Sequence, residues 1–335
     1  MRRSHKIAGL AALAAMTLSS AEAANYSAIY AFGDSLSDAG NVYAATSGAQ
    51  PASPYFNGHY SNGVTWVENL ATDLNLGPLT ASNLGGKDYA WGGAVTGTSV
   101  TGVTLSVPTI TQQVATYLGS HTPSATALYT VWIGANDLFQ ALTNIGVASA
   151  GGLAAGQAAY LLALSQAASA AQMEANAINS LALAGAKTFL VPLVPDLGLT
   201  PYLNATVLKG TATALSAAYN ADLQADLATV KTNDNVAISV LDTYSLLENA
   251  VATPSAYGLS DVTNKCYTGT FTGTGGVVCA SASTNLFWDG VHPTATGQQV
   301  IANAALAEVP EPRSWAILVA ALAVLGLIRR HSVRV

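Results

Sequence analysis

A serine and a histidine–aspartate pair stand in the two most distinctive short segments of the chain. Residues 33–41 read GDSLSDAGN and directly follow an apolar, strand-forming run, so Ser35 is expected at an exposed turn between a strand and a helix. A serine hydroxyl is a poor nucleophile until a neighbouring base removes its proton. His292 lies in the segment FWDGVHP, three residues after Asp289, whose carboxylate can fix the imidazole tautomer and stabilise the imidazolium. These residues predict acyl transfer with Ser35 as nucleophile, His292 as base and Asp289 as its partner.

Each of these segments also has a purely structural interpretation. A lone Gly-Asp-Ser is more often a turn or a helix cap than a catalytic motif. Asp289 and Gly290 suit a turn, and Pro293 suits the first position of a helix. The nine-residue string around Ser35 is far less frequent by chance, and its combination with the Asp289–His292 pair favours catalysis.

A tetrahedral intermediate on Ser35 also requires N–H donors for its oxyanion. The backbone N–H of Ser35 itself is one candidate. Asn136, in the segment GAND after a later apolar run, offers a side-chain amide, and residues 92–94 offer the exposed backbone of a glycine turn. Taken alone, Asn136 also suits a helix cap and residues 92–94 an ordinary turn, so both roles depend on these segments meeting in space. This chemistry needs no cofactor.

Alternating strand-like and helix-like segments are expected to position these residues. Short apolar runs predict strands at residues 26–32, 88–91, 127–133, 187–192 and 236–241. Helical patterns occur at residues 63–74, 110–118, 137–143, 156–184, 207–230 and 293–306, and residues 251–284 form the one long irregular stretch. Such alternation predicts an α/β fold, a flavodoxin-like doubly wound parallel sheet of order 2-1-3-4-5 in a single domain. The switch in strand order then lies between the strands that precede Ser35 and Asn136.

The amino-terminal segment reads as an export signal. Residues 1–23 have a basic start, a short apolar run at 7–18 and the small-residue cleavage pattern AEA at 21–23, which predicts a signal peptide. A buried helix or a membrane anchor is the alternative interpretation. The folded domain is then expected to cover residues 24–308.

The carboxyl-terminal segment, residues 309–335, contains VPEP, an apolar run at 315–328 and then Arg329, Arg330 and Arg334. This tripartite tail resembles the PEP-CTERM sorting signal of Gram-negative bacteria. The resemblance implies transient membrane attachment and processing by an exosortase. An ordinary tail anchor is the alternative, although 14 apolar residues fall short of the roughly 20 that span a bilayer.

Charge and cysteine content limit the class of partner. Without the two ends, Lys and Arg fall from 12 to 5 and Asp and Glu fall from 18 to 16, so the domain carries a net charge of about −11. An acidic surface argues against nucleic acid and anionic membrane as partners. Cys266 and Cys279 are expected to form a disulfide in an oxidising compartment, and no Cys or His beside them has the spacing of a zinc ligand set, so no metal is expected.

Taken together, the segments resemble the GDSL lipase/esterases of the SGNH-hydrolase superfamily over most of residues 27–306. The resemblance implies Ser35 as nucleophile and oxyanion donor, Gly93 of the segment YAWGGA as backbone donor, Asn136 as side-chain donor, and Asp289 and His292 as acid and base. Residues 55–63, YFNGHYSNG, resemble a stretch that often has arginine where this chain has His59. The G-x-S-x-G signature of α/β-hydrolases is absent from the sequence.

The sequence therefore predicts an exported serine ester hydrolase that forms an acyl-enzyme on Ser35. The expected location is the periplasm, outer surface or extracellular matrix of a Gram-negative bacterium. Short-chain esters, lipids and O-acetyl groups on polysaccharide all suit the resemblance, and the sorting tail favours an envelope or matrix substrate. The rival hypothesis is a non-catalytic surface or matrix protein that uses the same fold for binding.

Overall fold

A parallel β-sheet forms the centre of the computed structural model, which describes residues 26–97 and 106–309. Its four strands, in spatial order, are β1 (Ile29–Gly33), β2 (Leu128–Trp132), β3 (Thr188–Pro192) and β4 (Ala237–Leu241). All five residues of β2 are buried, as expected for a parallel sheet covered on both faces. The predicted α/β fold with a parallel sheet in a single domain is confirmed.

The register of the strands brings their carboxyl ends to one edge. β1 pairs with β2 from Ile29 opposite Leu128 to Gly33 opposite Trp132, and β3 and β4 also end level with each other. We call this side of the sheet the carboxyl edge. The loops that follow β1 and β2 there contain Ser35 and Asn136.

The predicted strand at residues 88–91 lies on the other side of β1 and is shorter than expected. Ala31 and Asp88 form a parallel bridge, the N–H of Tyr89 donates to the Ala31 carbonyl at 2.7 Å, and the N–H of Trp91 donates to the Gly33 carbonyl at 3.1 Å. The predicted spatial order 2-1-3-4-5 is therefore present, with its outermost strand reduced to a few hydrogen bonds.

Eight α-helices connect and cover the strands within the described residues. They are α1 (Asn41–Ala45), α2 (Trp66–Asp73), α3 (Ile110–Ser120), α4 (Ala135–Ser149), α5 (Leu153–Leu183), α6 (Lys209–Asp234), α7 (Thr243–Ala252) and α8 (Ala295–Glu308). The main core fills the space between the sheet and α3 to α6. Helix α4 is longer than the predicted residues 137–143, because the first glycine pair after its start is at residues 151–152. Helix α7 was not predicted from the sequence.

The stretch predicted to be irregular, residues 251–284, contains more structure than expected. Strand β5 (Asp261–Lys265) pairs in parallel with β6 (Asn285–Phe287) to form a second, two-stranded sheet. The predicted disulfide between Cys266 and Cys279 is present, and it closes the loop that follows β5. This sheet leads directly into the segment that contains Asp289 and His292.

The predicted signal peptide at residues 1–23 lies outside the described residues, as does the predicted sorting tail except for its first residue, Val309. Within the described ranges, no helix combines the length and the apolar character that a bilayer crossing requires.

Candidate active site

Ser35 lies at the carboxyl edge because β1 ends in a turn that only glycine accommodates. Gly33 has a φ of +152°, and a Cβ atom at this position would lie 2.2 Å from the Trp132 carbonyl oxygen. The Gln113 side chain of α3 holds the same residue from both sides: its amide oxygen accepts the Gly33 N–H at 2.9 Å, and its amide nitrogen donates to the Gly33 carbonyl at 2.8 Å. Gln113 therefore holds the backbone two residues before Ser35 in place.

Ser35, His292 and Asp289 form a continuous chain of hydrogen bonds. The Ser35 Oγ is 2.8 Å from His292 Nε2, and His292 Nδ1 is 2.7 Å from Asp289 Oδ2. All three side chains are buried or nearly so. Ser35 and His292 are 257 positions apart along the chain, and the fold brings them together at the carboxyl edge. This geometry places an acceptor for the serine proton within reach of the hydroxyl.

The Asp289 carboxylate is held by four donors. Its Oδ1 accepts the backbone N–H groups of Val291 and His292 at 2.9 and 2.8 Å, and its Oδ2 accepts the Tyr55 hydroxyl at 2.6 Å in addition to the imidazole. Burial alone raises the pKa of Asp289, but the nearby His292 and these hydrogen bonds outweigh burial, so the pKa is lowered. Asp289 is therefore a carboxylate at neutral pH.

Aromatic side chains enclose the His292 ring. The Tyr60 ring lies 5.2 Å from it, and the Phe271 ring meets it edge-on at 5.6 Å. Burial raises the pKa of Tyr60, so its hydroxyl stays neutral. Phe271 lies between Cys266 and Cys279, which means that the disulfide-closed loop supplies one wall of the site.

The two candidate oxyanion donors outside the Ser35 loop lie in the same cleft as Ser35 and His292. Gly93 is exposed, its φ is +81°, and a Cβ there would meet nothing within 4 Å, so its backbone faces open space. The Asn136 side-chain amide donates one N–H to the Ala94 carbonyl at 2.8 Å. An amide nitrogen has two N–H groups, which leaves the second for a ligand in the cleft.

Buried aspartates tie these loops together. Asp38 accepts the N–H groups of Gly40 and Asn41 within its own loop and the N–H of Gly92, at 2.8 Å, from the loop that contains Gly93. Burial raises the pKa of Asp38 to about 6, against the lowering effect of these N–H groups. Asp34, beside Ser35, accepts the Leu36 N–H at 3.0 Å, and burial raises its pKa to about 7.

The cleft at the carboxyl edge has a volume of about 510 Å³ and extends from Ser35 to residues of α7 and α8. Phe139, Tyr202 and Phe271 contribute to its walls near the solvent. The part of the cleft along α7 and α8, which we call the inner cleft, is lined mainly by apolar side chains: Leu197, Leu246, Leu247, Ala250, Val300 and Ile301. A pocket of this size and character suits an apolar ligand group.

His59, which replaces the arginine often found at this position in the resembling stretch, does not line the cleft. Its Nδ1 is 2.8 Å from the Phe56 carbonyl, and its Nε2 is 3.0 Å from Glu68 Oε1 at the start of α2. Burial lowers the pKa of His59, but the hydrogen bond and the charge of Glu68 outweigh it and raise the pKa. The pair anchors the loop that leads to Tyr60.

The roles of Tyr55 and Gln113 are not predictable from the sequence. Tyr55 belongs to the stretch that contains His59, but its contact with Asp289 spans 234 residues and leaves no local signal. Gln113 lies on a predicted helix, and its polar side chain is buried, which a helical pattern alone does not indicate. Among the described residues, no group of three or more His, Cys, Asp or Glu side chains has the arrangement of a metal site.

Known proteins share this sequence pattern over most of the chain. The family model described as GDSL-like Lipase/Acylhydrolase matches residues 29–305. "Lipase 1" of Photorhabdus luminescens is 35% identical over 225 residues, which cover 64% of this chain and 29% of that protein. "Phosphatidylcholine-sterol acyltransferase" of Aeromonas hydrophila is 28% identical over 272 residues, which cover 78% of this chain and 72% of that protein. The chain thus spans less than a third of the length of Lipase 1.

Solved structures of similar proteins include an extracellular lipase from Streptomyces rimosus, with 18% identity, a TM-score of 0.40, and coverage of 83% of this chain and 99% of that one. The residues matched by the family model include the hydrogen-bonded Ser35, His292 and Asp289. They also include both candidate oxyanion donors, Gly93 and Asn136. Because that match also extends over far more than half of the sequence, the chain belongs to the GDSL-like lipase/acylhydrolase family.

Proposed function

We propose that the protein is a serine ester hydrolase that cleaves carboxylic esters through an acyl-enzyme on Ser35. The observation that carries this proposal is the unbroken relay from Ser35 Oγ through the His292 ring to Asp289, at 2.8 and 2.7 Å. The relay opens into a cleft of a size that suits a small-molecule or acyl ligand. A non-catalytic binding protein would not require this alignment.

Each group has a role in two successive acyl transfers. His292 Nε2 takes the Ser35 proton as the Oγ attacks the ester carbonyl, and the imidazolium is stabilised by the Asp289 carboxylate. His292 then gives that proton to the leaving alcohol, and the acyl group remains on Ser35. A water molecule attacks the acyl-enzyme by the same route, which releases the carboxylic acid and restores the serine.

The oxyanion of each tetrahedral intermediate is held by three donors in this proposal. They are the backbone N–H groups of Ser35 and Gly93 and the free side-chain N–H of Asn136. The Asn136–Ala94 and Asp38–Gly92 hydrogen bonds support this role because they fix the donors before substrate binds. The reaction needs no cofactor.

The inner cleft favours esters with an extended acyl chain over acetyl esters. An acetyl group fills only a small part of a 510 Å³ apolar cleft, whereas each buried methylene contributes about 0.8 kcal/mol. The names of the relatives, a lipase and a phosphatidylcholine-sterol acyltransferase, agree with this substrate class. Removal of O-acetyl groups from polysaccharide is the second candidate, favoured by the predicted sorting tail.

The site of action is proposed from the two ends of the sequence. Residues 1–23 direct export, residues 24–308 form the hydrolase domain, and residues 309–335 attach the protein transiently to a membrane until an exosortase removes them. The Cys266–Cys279 disulfide supports export because such bonds persist in oxidising compartments. The protein would then act in the periplasm, at the outer surface or in the extracellular matrix.

The test compares Ser35→Ala with Ser37→Ala on p-nitrophenyl butanoate. Ser37 is a matched control two residues away, whose Oγ accepts the Trp66 indole N–H at 3.1 Å rather than facing His292. Ser35→Ala should fold and lose at least about 10³-fold in kcat, as nucleophile removal does in serine hydrolases. The Ser37→Ala variant should keep most of the wild-type activity. A fluorophosphonate probe should label the Ser37→Ala variant but not the Ser35→Ala variant. Near-normal hydrolysis by folded Ser35→Ala would refute the proposal.

A further inference from the structure

The α4–α5 hairpin projects past the carboxyl edge, on the side where the cleft opens. Helix α5 ends at Leu183, a few residues before β3 begins at Thr188, so its carboxyl end lies at the opposite edge of the sheet. Its buried residues run from Ala163 to Ala182, and the half-buried Ala159 and Tyr160 also pack against the core, whereas none of residues 153–158 is buried. At 1.5 Å per residue, these six residues extend roughly 9 Å beyond the packed part of the helix.

The projecting part of the hairpin carries exposed apolar side chains. Leu153 is 95% exposed, and Val147 at the end of α4 and Leu161 and Leu162 in α5 are also largely exposed. Isolated exposed leucines are common on soluble proteins. Val147 and Leu153, by contrast, lie together at the tip of the hairpin, where exposed apolar side chains can form part of an interaction surface.

Helix α4 connects the tip of this hairpin to the mouth of the cleft. Helix α4 begins beside Asn136, and its Phe139 lines the cleft and meets the Tyr202 ring edge-on at 5.8 Å. The loop that follows Tyr202 runs along α4, because a Cβ on Gly146 would lie 3.6 Å from the Leu208 side chain. In that loop Val207 is fully exposed. We call the exposed and half-buried apolar side chains of this surface the rim: Phe139, Val147, Leu153, Tyr202 and Val207.

The segments around the cleft mouth carry no charge. Residues 138–173, 197–208 and 266–288 contain no Asp, Glu, Lys or Arg, and Lys209 is the first charge beyond Val207. Residues 26–309 nevertheless carry 16 carboxylates and five lysines, which gives a net charge of about −11. These charged residues all lie in other segments. An anionic surface would be repelled by this net charge, and the rim has no basic cluster to attract one.

We propose that the rim docks the protein on the surface of a lipid aggregate with zwitterionic headgroups, with the cleft mouth facing the lipid. Exposed leucine and valine side chains enter the boundary between headgroups and acyl chains. The absence of charge removes the desolvation cost of that step. Docking would deliver an acyl ester to Ser35 along the apolar path from Phe139 and Tyr202 into the inner cleft, so the inference rests on the proposed function.

Vesicle binding in the full-length Ser35→Ala background tests docking separately from catalysis. The test variant carries Leu153→Asp and Val207→Asp, and the control carries Leu183→Asp. Leu183 is 73% exposed on the same helix as Leu153, but it lies at the opposite edge of the sheet. Flotation with phosphatidylcholine vesicles should show at least tenfold weaker partitioning for the test variant and a change of less than twofold for the control.

Two further measurements make each outcome decisive. Versions with Ser35 intact should hydrolyse monomeric p-nitrophenyl acetate like the parent, which shows that the test variant folds; if it does not fold, Leu153→Ser replaces it in the same comparison. Equal vesicle binding by parent and test variant, or no binding by the parent, would overturn the proposal. A third result would also overturn it: the parent sediments as a dimer, the double substitution converts it to a monomer, and neither binds vesicles. The rim would then bind a second copy of the chain.

Discussion

Substitution of Ala250 by phenylalanine tests whether the inner cleft holds the acyl chain of the substrate. Ala250 is buried on α7 and lines the apolar part of the cleft together with Leu247 and Ile301. Ala250 packs in the small cluster with Leu247 and Leu286, but its side chain also borders the cleft, so a larger side chain there reduces the volume of the cleft. The relay from Ser35 to Asp289 does not involve Ala250, so the chemical step should be preserved.

The size of the effect follows from the area that the acyl chain buries. Each methylene contributes about 0.8 kcal/mol, so the four methylenes that distinguish octanoate from butanoate contribute at most about 3.2 kcal/mol. This corresponds to a factor of roughly 200 in kcat/KM. If the introduced aromatic ring takes the place of two to four methylenes, the octanoate ester loses about 1.6–3.2 kcal/mol, a factor of roughly 15 to 200, while the acetate ester is unaffected.

The assay is kcat/KM for p-nitrophenyl acetate, butanoate, hexanoate and octanoate below their aggregation limits. Ala252→Phe is the matched control, because Ala252 is exposed near the end of the same helix. Wild type and Ala252→Phe should show the same rise in kcat/KM with chain length, and Ala250→Phe should flatten it. An equal loss on all four esters would indicate general damage instead, and an unchanged rise would show that the acyl chain lies elsewhere.

Three further predictions concern groups that hold the site in place. Tyr55→Phe removes a 2.6 Å hydrogen bond to the Asp289 carboxylate. Because hydrogen bonds to charged groups contribute about 1.5–3 kcal/mol, urea unfolding at pH 7 should show that the free energy of unfolding falls by that amount. An unchanged unfolding midpoint would contradict the stabilising role of this bond. Replacing Cys266 and Cys279 together by serine should lower the free energy of unfolding by about 3 kcal/mol, measured against the oxidised parent, and a loss below about 0.5 kcal/mol would contradict the loop-entropy argument. Burial raises the pKa of Glu174 far above its usual value, so the protonated form stabilises the fold below about pH 4.3 and that stability is lost as pH rises towards the raised pKa. Glu174→Gln removes this loss, and its stability relative to wild type should increase as the pH rises above the ordinary pKa of glutamate, whereas a constant difference would show that Glu174 does not titrate there.

The central sheet can be predicted from the sequence because its strands are short and largely apolar, and because glycine follows three of the five predicted strands. Residues 127–133 predict a strand, and β2 is Leu128–Trp132. Parallel strands of similar length end at one edge, so two loops that each follow a strand converge there. The order of the strands and the positions of their ends are therefore enough to predict that Ser35 and Asn136 share one cleft.

Elements without apolar periodicity could not be predicted. β5 reads DVTNK, and only its valine is buried, so its pairing with β6 depends on tertiary context rather than on its own composition. Tyr55 illustrates the same limit for the site. Its packing against the Tyr267 and Trp288 rings, and its hydrogen bond to Asp289, exist only once a loop near the amino terminus meets a loop near the carboxyl terminus.

The site loops are fixed by carboxylates that accept backbone N–H groups rather than by ion pairs with lysine or arginine. Asp38 joins its own loop to Gly92, Asp137 accepts the Thr96 N–H at 3.1 Å, and Asp289 accepts N–H groups from its own turn. Residues 26–309 contain no arginine, and in the described part of the chain both pairs of a carboxylate with a basic side chain within 4 Å use histidine. Backbone donors are directional and carry no net charge, so they position the loops without placing a cation near the cleft. The apolar, uncharged surroundings of the cleft mouth and the buried aspartates beneath it are therefore two results of the same composition.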